Sequence, residues 1–212
     1  MKKNVVLART AAGVVGGLLL IGGAGAAFAA EDNAVGNQEV GVDVQIDAVG
    51  ALTLSVASGS TSLTEVPSGD AGIRQFNGAL PDVTVTDDRQ SVPEGVFWYV
   101  TGQSSALTDG TNSIDAGHLG WAPKLITDTG DGEVGEGAQV NTVLDAPTPN
   151  VPADNVGLVG NELLALSLDS QSAASVGSWT AGADLFLKVP STVTPGAYAG
   201  TITLTLWEDQ VD

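Results

Sequence analysis

Few side chains of this protein have the chemistry of an enzyme active site. The chain of 212 residues contains one histidine, His118, and no cysteine. His118 lies in a glycine-flanked turn, where a polar loop residue is the simpler interpretation, and no serine lies in a Gly-x-Ser-x-Gly pattern. Covalent and general acid–base catalysis need a nucleophile beside a positioned base. The residue types therefore predict a protein that is not an enzyme.

One acidic cluster has the ligand types of a calcium site. Asp128, Asp131 and Glu133 are interspersed with glycines, and calcium prefers carboxylate oxygens carried on flexible loops. Their spacing does not match the loop of an EF-hand. An acidic surface loop is the alternative interpretation, and no other cofactor is expected.

Aromatic side chains are the remaining candidates for ligand recognition, and many of them fall in residues 96–125. Alternation along a strand points Phe97 and Tyr99 to the face opposite Trp98. Aromatic side chains stabilise protein cores, and they also form flat platforms for sugars or peptides. Core packing and ligand contact therefore both stay open for the candidate residues of this stretch, which are Trp98, Tyr99, Trp121 and the nearest cation, Lys124.

The charge of the chain excludes some classes of partner. All 25 acidic residues follow residue 30, whereas only four basic residues do, which gives this part of the chain a net charge of −21. Such a surface repels the phosphate backbone of nucleic acids and anionic lipid surfaces. We therefore expect neither nucleic acid nor a lipid surface as partner.

The beginning of the chain predicts export from the cell. Residues 1–29 combine Lys2, Lys3 and Arg9 with a short apolar run and an Ala27-Phe28-Ala29 cleavage site, as in a secretory signal peptide. The mature protein then begins at Ala30. No second apolar run of membrane-spanning length follows, so that no membrane span is expected after cleavage. The remaining residues, 30–212, have the length of a single domain.

Periodicity predicts strands over most of this domain. Hydrophobic residues alternate with polar ones in short stretches that glycine, proline and small polar residues separate. This pattern predicts an all-β fold, an antiparallel β-sandwich with Greek-key-like connections. Residues 127–155 lack it and are expected to form a long loop. The predicted strands include residues 40–46, 52–56, 83–86, 96–101, 164–168, 185–189 and 201–206.

Two segments have the arrangement of a known family of surface domains. The first begins at Trp98 and continues through a hydroxyl- and glycine-rich stretch to Trp121-Ala-Pro. The second enters the last strand from a Pro-Gly turn and a tyrosine. Together they resemble the WxL-type cell-surface domains of Gram-positive bacteria. The two motif positions read Trp98-Tyr99-Val100 and Leu204-Thr205-Leu206, with Trp207 directly after the second.

The resemblance implies a secreted protein that is held at the cell wall without a covalent bond. Its partner would be peptidoglycan or another surface protein, and Leu204, Leu206 and Trp207 join the candidate binding residues. A structural subunit of a pilus or surface layer, which assembles through exposed strand edges, is the alternative. Both interpretations expect binding without catalysis.

Overall fold

A computed structural model describes residues 49–127, 133–147, 149 and 154–211. These residues belong to one compact unit. Three predictions lie outside the described residues: the signal peptide over residues 1–29, the strand over residues 40–46, and the carboxylates of Asp128 and Asp131.

Strands account for most of the regular structure, as the alternating pattern predicts. A 3₁₀ turn at Ala116–His118 and one short helix, α1 (Ser170–Val176), interrupt them. In chain order the strands are β1 (Leu52–Val56), β2 (Thr64–Val66), β3 (Ile73–Asp87), β4 (Val96–Ser104), β5 (Leu107–Thr108), β6 (Ser113–Ile114), β7 (Leu119–Leu125), β8 (Val134–Glu136), β9 (Glu162–Ser167), β10 (Ser178–Pro190) and β11 (Ile202–Gln210).

Two antiparallel sheets pack face to face. The first has the order β1-β3-β10-β7, and β2 pairs with β3 along the same edge as β1. The second has the order β11-β4-β9-β8. Strands that are paired within a sheet, such as β3 and β10, are separated along the chain by several other strands. The predicted all-β antiparallel sandwich is confirmed.

The core lies between the inner faces of the two sheets. Trp98 of β4 and Trp121 of β7 are its largest fully buried side chains. Leu185, Leu187 and Val189 of β10 are all buried, which confirms the alternation predicted there. The buried faces of β3, β4, β7, β9 and β10 hold the two sheets together through the hydrophobic effect.

The alternation predicted for residues 164–168 is wrong after Leu164, because a shift in the register of β9 against β4 leaves Leu164 and Ala165 both buried and places Leu166 on the outer face opposite Tyr99. Leu164 is fully buried, but the side chain of Leu168 is 79% exposed. β9 ends at Ser167, and Asp169 caps α1 by accepting hydrogen bonds from the backbone N–H groups of Gln171 and Ser172. The capping geometry turns the chain away from the sheet before Leu168 can reach the core.

The described part of residues 127–155 is more ordered than the predicted loop. β8 pairs with β9, and Val140 exchanges two backbone hydrogen bonds with Trp121. Thr142 is fully buried, and an ion pair joins Asp145 to Lys188 of β10. This segment therefore seals one side of the sandwich instead of leaving it open.

The helix α1 has seven residues. Within the described residues, no helical run reaches the length and apolarity of a membrane-spanning segment.

Candidate functional site

The predicted binding residues separate into three parts of the structure. Trp98 and Trp121 lie in the core, with 1% and 0% of their surface exposed. The prediction that they contact a ligand directly is therefore wrong, and the core interpretation holds. The reason is register, because β4 and β7 both point their tryptophans at the opposite sheet.

Close packing fixes the position of Trp121. A Cβ atom at Gly102 would lie 2.6 Å from Cη2 of the Trp121 ring, so that only glycine fits at this point of β4. The indole N–H groups of Trp98 and Trp121 find no hydrogen-bond acceptor among the described residues. Both tryptophans therefore act through packing, which is the contribution that a substitution would remove.

Lys124 lies on the other sheet from most of the aromatic candidates. Its Nζ atom is 2.6 Å from Oδ1 of Asp184 on the neighbouring strand, and both side chains are largely exposed. Exposed ion pairs of this kind contribute little to stability. Lys124 is a paired surface cation and not part of a common site with Tyr99 or Trp207.

Tyr99 and Trp207 meet on the outer face of the second sheet. The register of β11 against β4 places Trp207 opposite Tyr99. Their ring centroids are 6.2 Å apart, and the centroids of Tyr99 and Phe97 are 6.1 Å apart, with interplanar angles of 16° and 19°. Phe97, Tyr99 and Trp207 thus form three roughly parallel rings, which we call the aromatic row.

The aromatic row is partly exposed and firmly held. Trp207 is 40% exposed, and its Nε1–H donates a hydrogen bond of 2.8 Å to Oγ1 of Thr101. Leu166 of β9 lies opposite Tyr99 on the other side and extends the apolar surface. Asp209 lies opposite Phe97 and places a carboxylate at one end of the row. The result is an ordered aromatic surface bordered by one acidic group.

Alternation points Phe97 and Tyr99 to one face, so their proximity follows from the sequence. Trp207 is more than one hundred positions further along, and only the pairing of β11 with β4 places it beside Tyr99. Phe97 is the member of the row that the set of predicted binding residues omits. Its spacing of two from Tyr99 is the signal that identifies it.

Leu204 and Leu206 point inward from β11 and are half-buried. Leu204 is one wall of a wide groove between the two sheets, with a volume of about 1030 Å³. Leu185 and Leu187 of β10 form part of the floor, and Phe76 of β3 forms part of the opposite wall. We call this opening the corner groove. The second predicted motif therefore belongs to the interior and not to the surface that carries the aromatic row.

Ion pairs occupy all the basic side chains that follow the predicted signal peptide. Arg89 donates hydrogen bonds to Asp87 and Glu208, and the bonds that it donates to Asp87 are the main cause of its raised pKa. The other three pairs are Arg74 with Glu65, Lys124 with Asp184, and Lys188 with Asp145. Most carboxylates have no cation to neutralise them, so the surface is strongly anionic.

The structure gives no geometry for the predicted calcium ligands as a set. Of the three carboxylates only Glu133 lies in the described part of the chain. No group of three acidic, histidine or cysteine side chains is arranged to hold a metal ion within residues 49–127, 133–147, 149 and 154–211. Calcium binding by Asp128, Asp131 and Glu133 stays a prediction.

His118 has a structural environment. His118 is the last residue of the 3₁₀ turn, whose N-cap Asp115 accepts a hydrogen bond from the backbone N–H of Gly117, and the Nδ1 atom of His118 is 2.8 Å from the backbone oxygen of Lys188. The ring is half-buried at this contact. This hydrogen bond ties the turn before β7 to β10. The prediction that the protein is not an enzyme stays a prediction.

No protein-family model matches the chain, and the comparison with curated proteins gives no match. The resemblance to WxL-type domains therefore stays a prediction that rests on the two sequence segments.

Proposed function

We propose that the protein is an exported, non-catalytic surface protein that binds the glycan of the bacterial cell wall through the aromatic row. The observation that supports this most is the ordered, partly exposed stack of Phe97, Tyr99 and Trp207. Sugar rings present apolar C–H groups, which pack well on aromatic side chains, and their hydroxyl groups can bond to polar neighbours. Asp209 is an exposed polar neighbour of this kind on the same face.

The charge of the protein constrains how such binding works. At −21 the chain is repelled by the anionic polymers of a Gram-positive wall, so that attraction has to come from short-range contacts or bridging cations. Screening shortens the range of the repulsion to about 3 Å at 1 M salt. Salt should therefore leave binding through the aromatic row intact or improve it, whereas it would weaken binding that depends on charge attraction.

Sedimentation with purified cell walls tests the proposal. The protein is mixed with isolated Gram-positive walls at low and high salt, and the fraction in the pellet is measured. Trp207→Ala and Tyr99→Ala should each reduce that fraction several-fold. Thr203→Ala, on the exposed outer side of the same strand, and Lys124→Ala, on the other sheet, are the controls. If folded wild-type protein stays in the supernatant at every salt concentration, direct wall binding is excluded.

Export is part of the same proposal and rests on residues 1–29. N-terminal sequencing of the protein recovered from the culture medium should find Ala30 as the first residue. A membrane-bound product that keeps Met1 would contradict it.

A structural subunit is the second candidate, and one observation favours it. Among the described residues β11 pairs only with β4, so that one edge of this nine-residue strand is open to another chain. Mutual repulsion between copies of charge −21 opposes such assembly. Sedimentation equilibrium over a wide range of concentration separates the candidates, because a self-assembling subunit grows in mass and a wall-binding monomer does not.

A further inference from the structure

The corner groove opens between the edges of the two sheets. On one side its wall is the first half of β11, with Ile202 and Leu204 pointing inward. On the other side are Phe76 of β3 and the segment that leads from β1 to β2, residues 56–63. Arg89 forms ion pairs with Asp87 and Glu208 and so links the edges of the two sheets at a point outside the groove lining. The groove is therefore a mainly apolar opening that is bordered on one side by the first residues of β11 and by residues 193–201, which lead into that strand.

The groove is lined by apolar residues of the kind found in a protein core, and no described residue covers them. Leu54, Leu63, Phe76, Ile202 and Leu204 pack against the core but stay partly exposed. Hydroxyl groups surround the opening, and they belong to Ser55, Ser58, Ser60, Thr61, Ser62, Thr194 and Thr201. Apolar walls with a polar rim are typical of a site that binds an extended chain with alternating side chains.

The open edge of β11 specifies the shape of the occupant. The backbone N–H and C=O groups on the side of β11 away from β4 have no strand partner within the described residues. A strand added there would continue the second sheet through backbone hydrogen bonds. Alternate side chains of that strand would point into the groove, against Leu185 and Leu187.

We propose that the corner groove binds an extended segment of a different protein, which adds a strand to β11 and carries basic residues at its ends. This inference is independent of wall binding through the aromatic row, because the two surfaces lie on opposite faces of the second sheet.

The charge around the corner groove favours a different protein over a second copy of this chain as its occupant. Arg74 is the one cation of the groove lining, and Glu65 already neutralises it. The carboxylate of Asp109 lies against Gly196 of the lining. This acidic group, together with the negative net charge of residues 30–212, attracts a lysine or arginine at the end of an incoming strand.

Once the predicted signal peptide is removed, a second copy of this chain can supply such a strand end only by breaking an ion pair. Each of its four basic side chains beyond the predicted signal peptide is held by a carboxylate. A partner with free basic residues is therefore favoured over self-association.

Peptide binding tests this inference. The probe is a fluorescein-labelled peptide of alternating valine and threonine with a lysine at each end, and fluorescence polarisation measures its Kd for the purified protein. We expect binding that weakens at least about tenfold when the terminal lysines become glutamates, or when alternate backbone nitrogens are methylated. Equal binding of the methylated peptide would overturn strand addition, and absence of binding by every peptide would overturn the inference as a whole.

Variants place the peptide in the groove. Ile202→Lys puts a charge on its wall, and Ser60→Trp fills its rim from an exposed loop position where folding is not at risk. Both should weaken peptide binding at least about tenfold. Thr203→Lys, on the outward side of β11, is the matched control. Near-ultraviolet circular dichroism confirms that each variant is folded. If the Ser60→Trp variant binds the peptide as tightly as wild type, the peptide does not occupy the corner groove.

Two further outcomes decide against the proposed occupant. If the neutral apolar dye Nile red binds with high affinity and the peptides do not compete with it, the groove is a pocket for small apolar ligands. If sedimentation shows oligomers that Ile202→Lys dissolves, the occupant is a second copy. Loss of wall sedimentation in the aromatic-row variants with unchanged peptide binding would leave this inference standing.

Discussion

Leu164 of β9 and Leu204 of β11 both point inward from the second sheet, yet Leu164 is fully buried and Leu204 lines an open groove. Around Leu164 the sandwich is closed, because Trp98 packs beside it and residues 133–145 cover the neighbouring edges. At Leu204 the opposite sheet edge is formed by a short strand, β2, and by residues 56–63. The same residue type in the same pattern therefore experiences two environments.

The comparison shows that an inward-facing side chain is buried only where another layer opposes it. Val140 and Thr142 supply that layer on the closed side, and they belong to the stretch where the sequence predicts a loop. On the open side no described residue covers the apolar wall of the corner groove. Hydrophobic surface left this way is typical of a binding site.

The largest expected effect is the removal of a core tryptophan on the closed side. Trp121→Ala should lower the free energy of unfolding by about 3–5 kcal/mol, because the cavity it leaves cannot collapse. Trp207→Ala, on the half-exposed aromatic row, should cost only about 1 kcal/mol. Urea denaturation measures both values. Similar losses for the two variants would mean that the aromatic row is as tightly packed as the core.

A leucine pair measures the difference between the two regions directly. Leu164→Ala should cost about 3–4 kcal/mol, within the usual range for a buried leucine, and Leu204→Ala about 1 kcal/mol. Thr203→Ala, exposed on β11, is the control and should change stability by less than about 0.5 kcal/mol. A loss at Leu204 equal to that at Leu164 would show that the corner groove is closed in solution.

Two arginine substitutions test the ion pairs at the groove. Arg89→Met leaves the buried carboxylate of Asp87 without its cation and should cost about 2–3 kcal/mol, below the value for a fully buried pair. Arg74→Met breaks an exposed pair with Glu65 and should cost about 0–1 kcal/mol. Thermal denaturation at low and high salt separates them, since salt weakens only the exposed pair appreciably. Equal costs would contradict the assignment of Arg89 as the link between the sheet edges.

The smallest effect concerns the dependence of stability on pH. Burial acts to raise the pKa of Asp145, but hydrogen bonds from Lys188 and Thr142 outweigh it and hold that pKa below its usual value. A carboxyl whose pKa is lowered by folding stabilises the protein above its unfolded pKa of about 3.9, and this contribution is lost as the pH falls through the folded pKa.

Asp145→Asn removes that contribution. The variant should unfold at lower urea concentration than wild type at pH 7, and the difference should shrink towards pH 3. Asp184→Asn, in the exposed pair with Lys124, is the control and should change little at either pH. A difference for Asp145→Asn that grows on acidification would contradict the direction of the pKa shift.

The sequence predicts the positions of the strands better than it predicts which strands pair with one another in the sheets. Alternation around Trp98 correctly separates Phe97 and Tyr99 onto the other face. No strand is predicted around Trp121, but it lies in β7, where Pro123 is tolerated because the strand is at a sheet edge. Trp207 joins Tyr99 only through a pairing that no local pattern specifies.

The amino-acid sequence alone determines the all-β character, the inward and outward faces of most strands, and the net charge of −21 on residues 30–212. These properties depend on a period of two and on composition, which are local or additive. Only the tertiary structure decides that Tyr99 and Trp207 share a surface, that Leu204 borders a groove, and that residues 133–145 close the other side. Register and the splay between two sheets come from contacts between distant segments, because the energy of covering an apolar face depends on what packs against it.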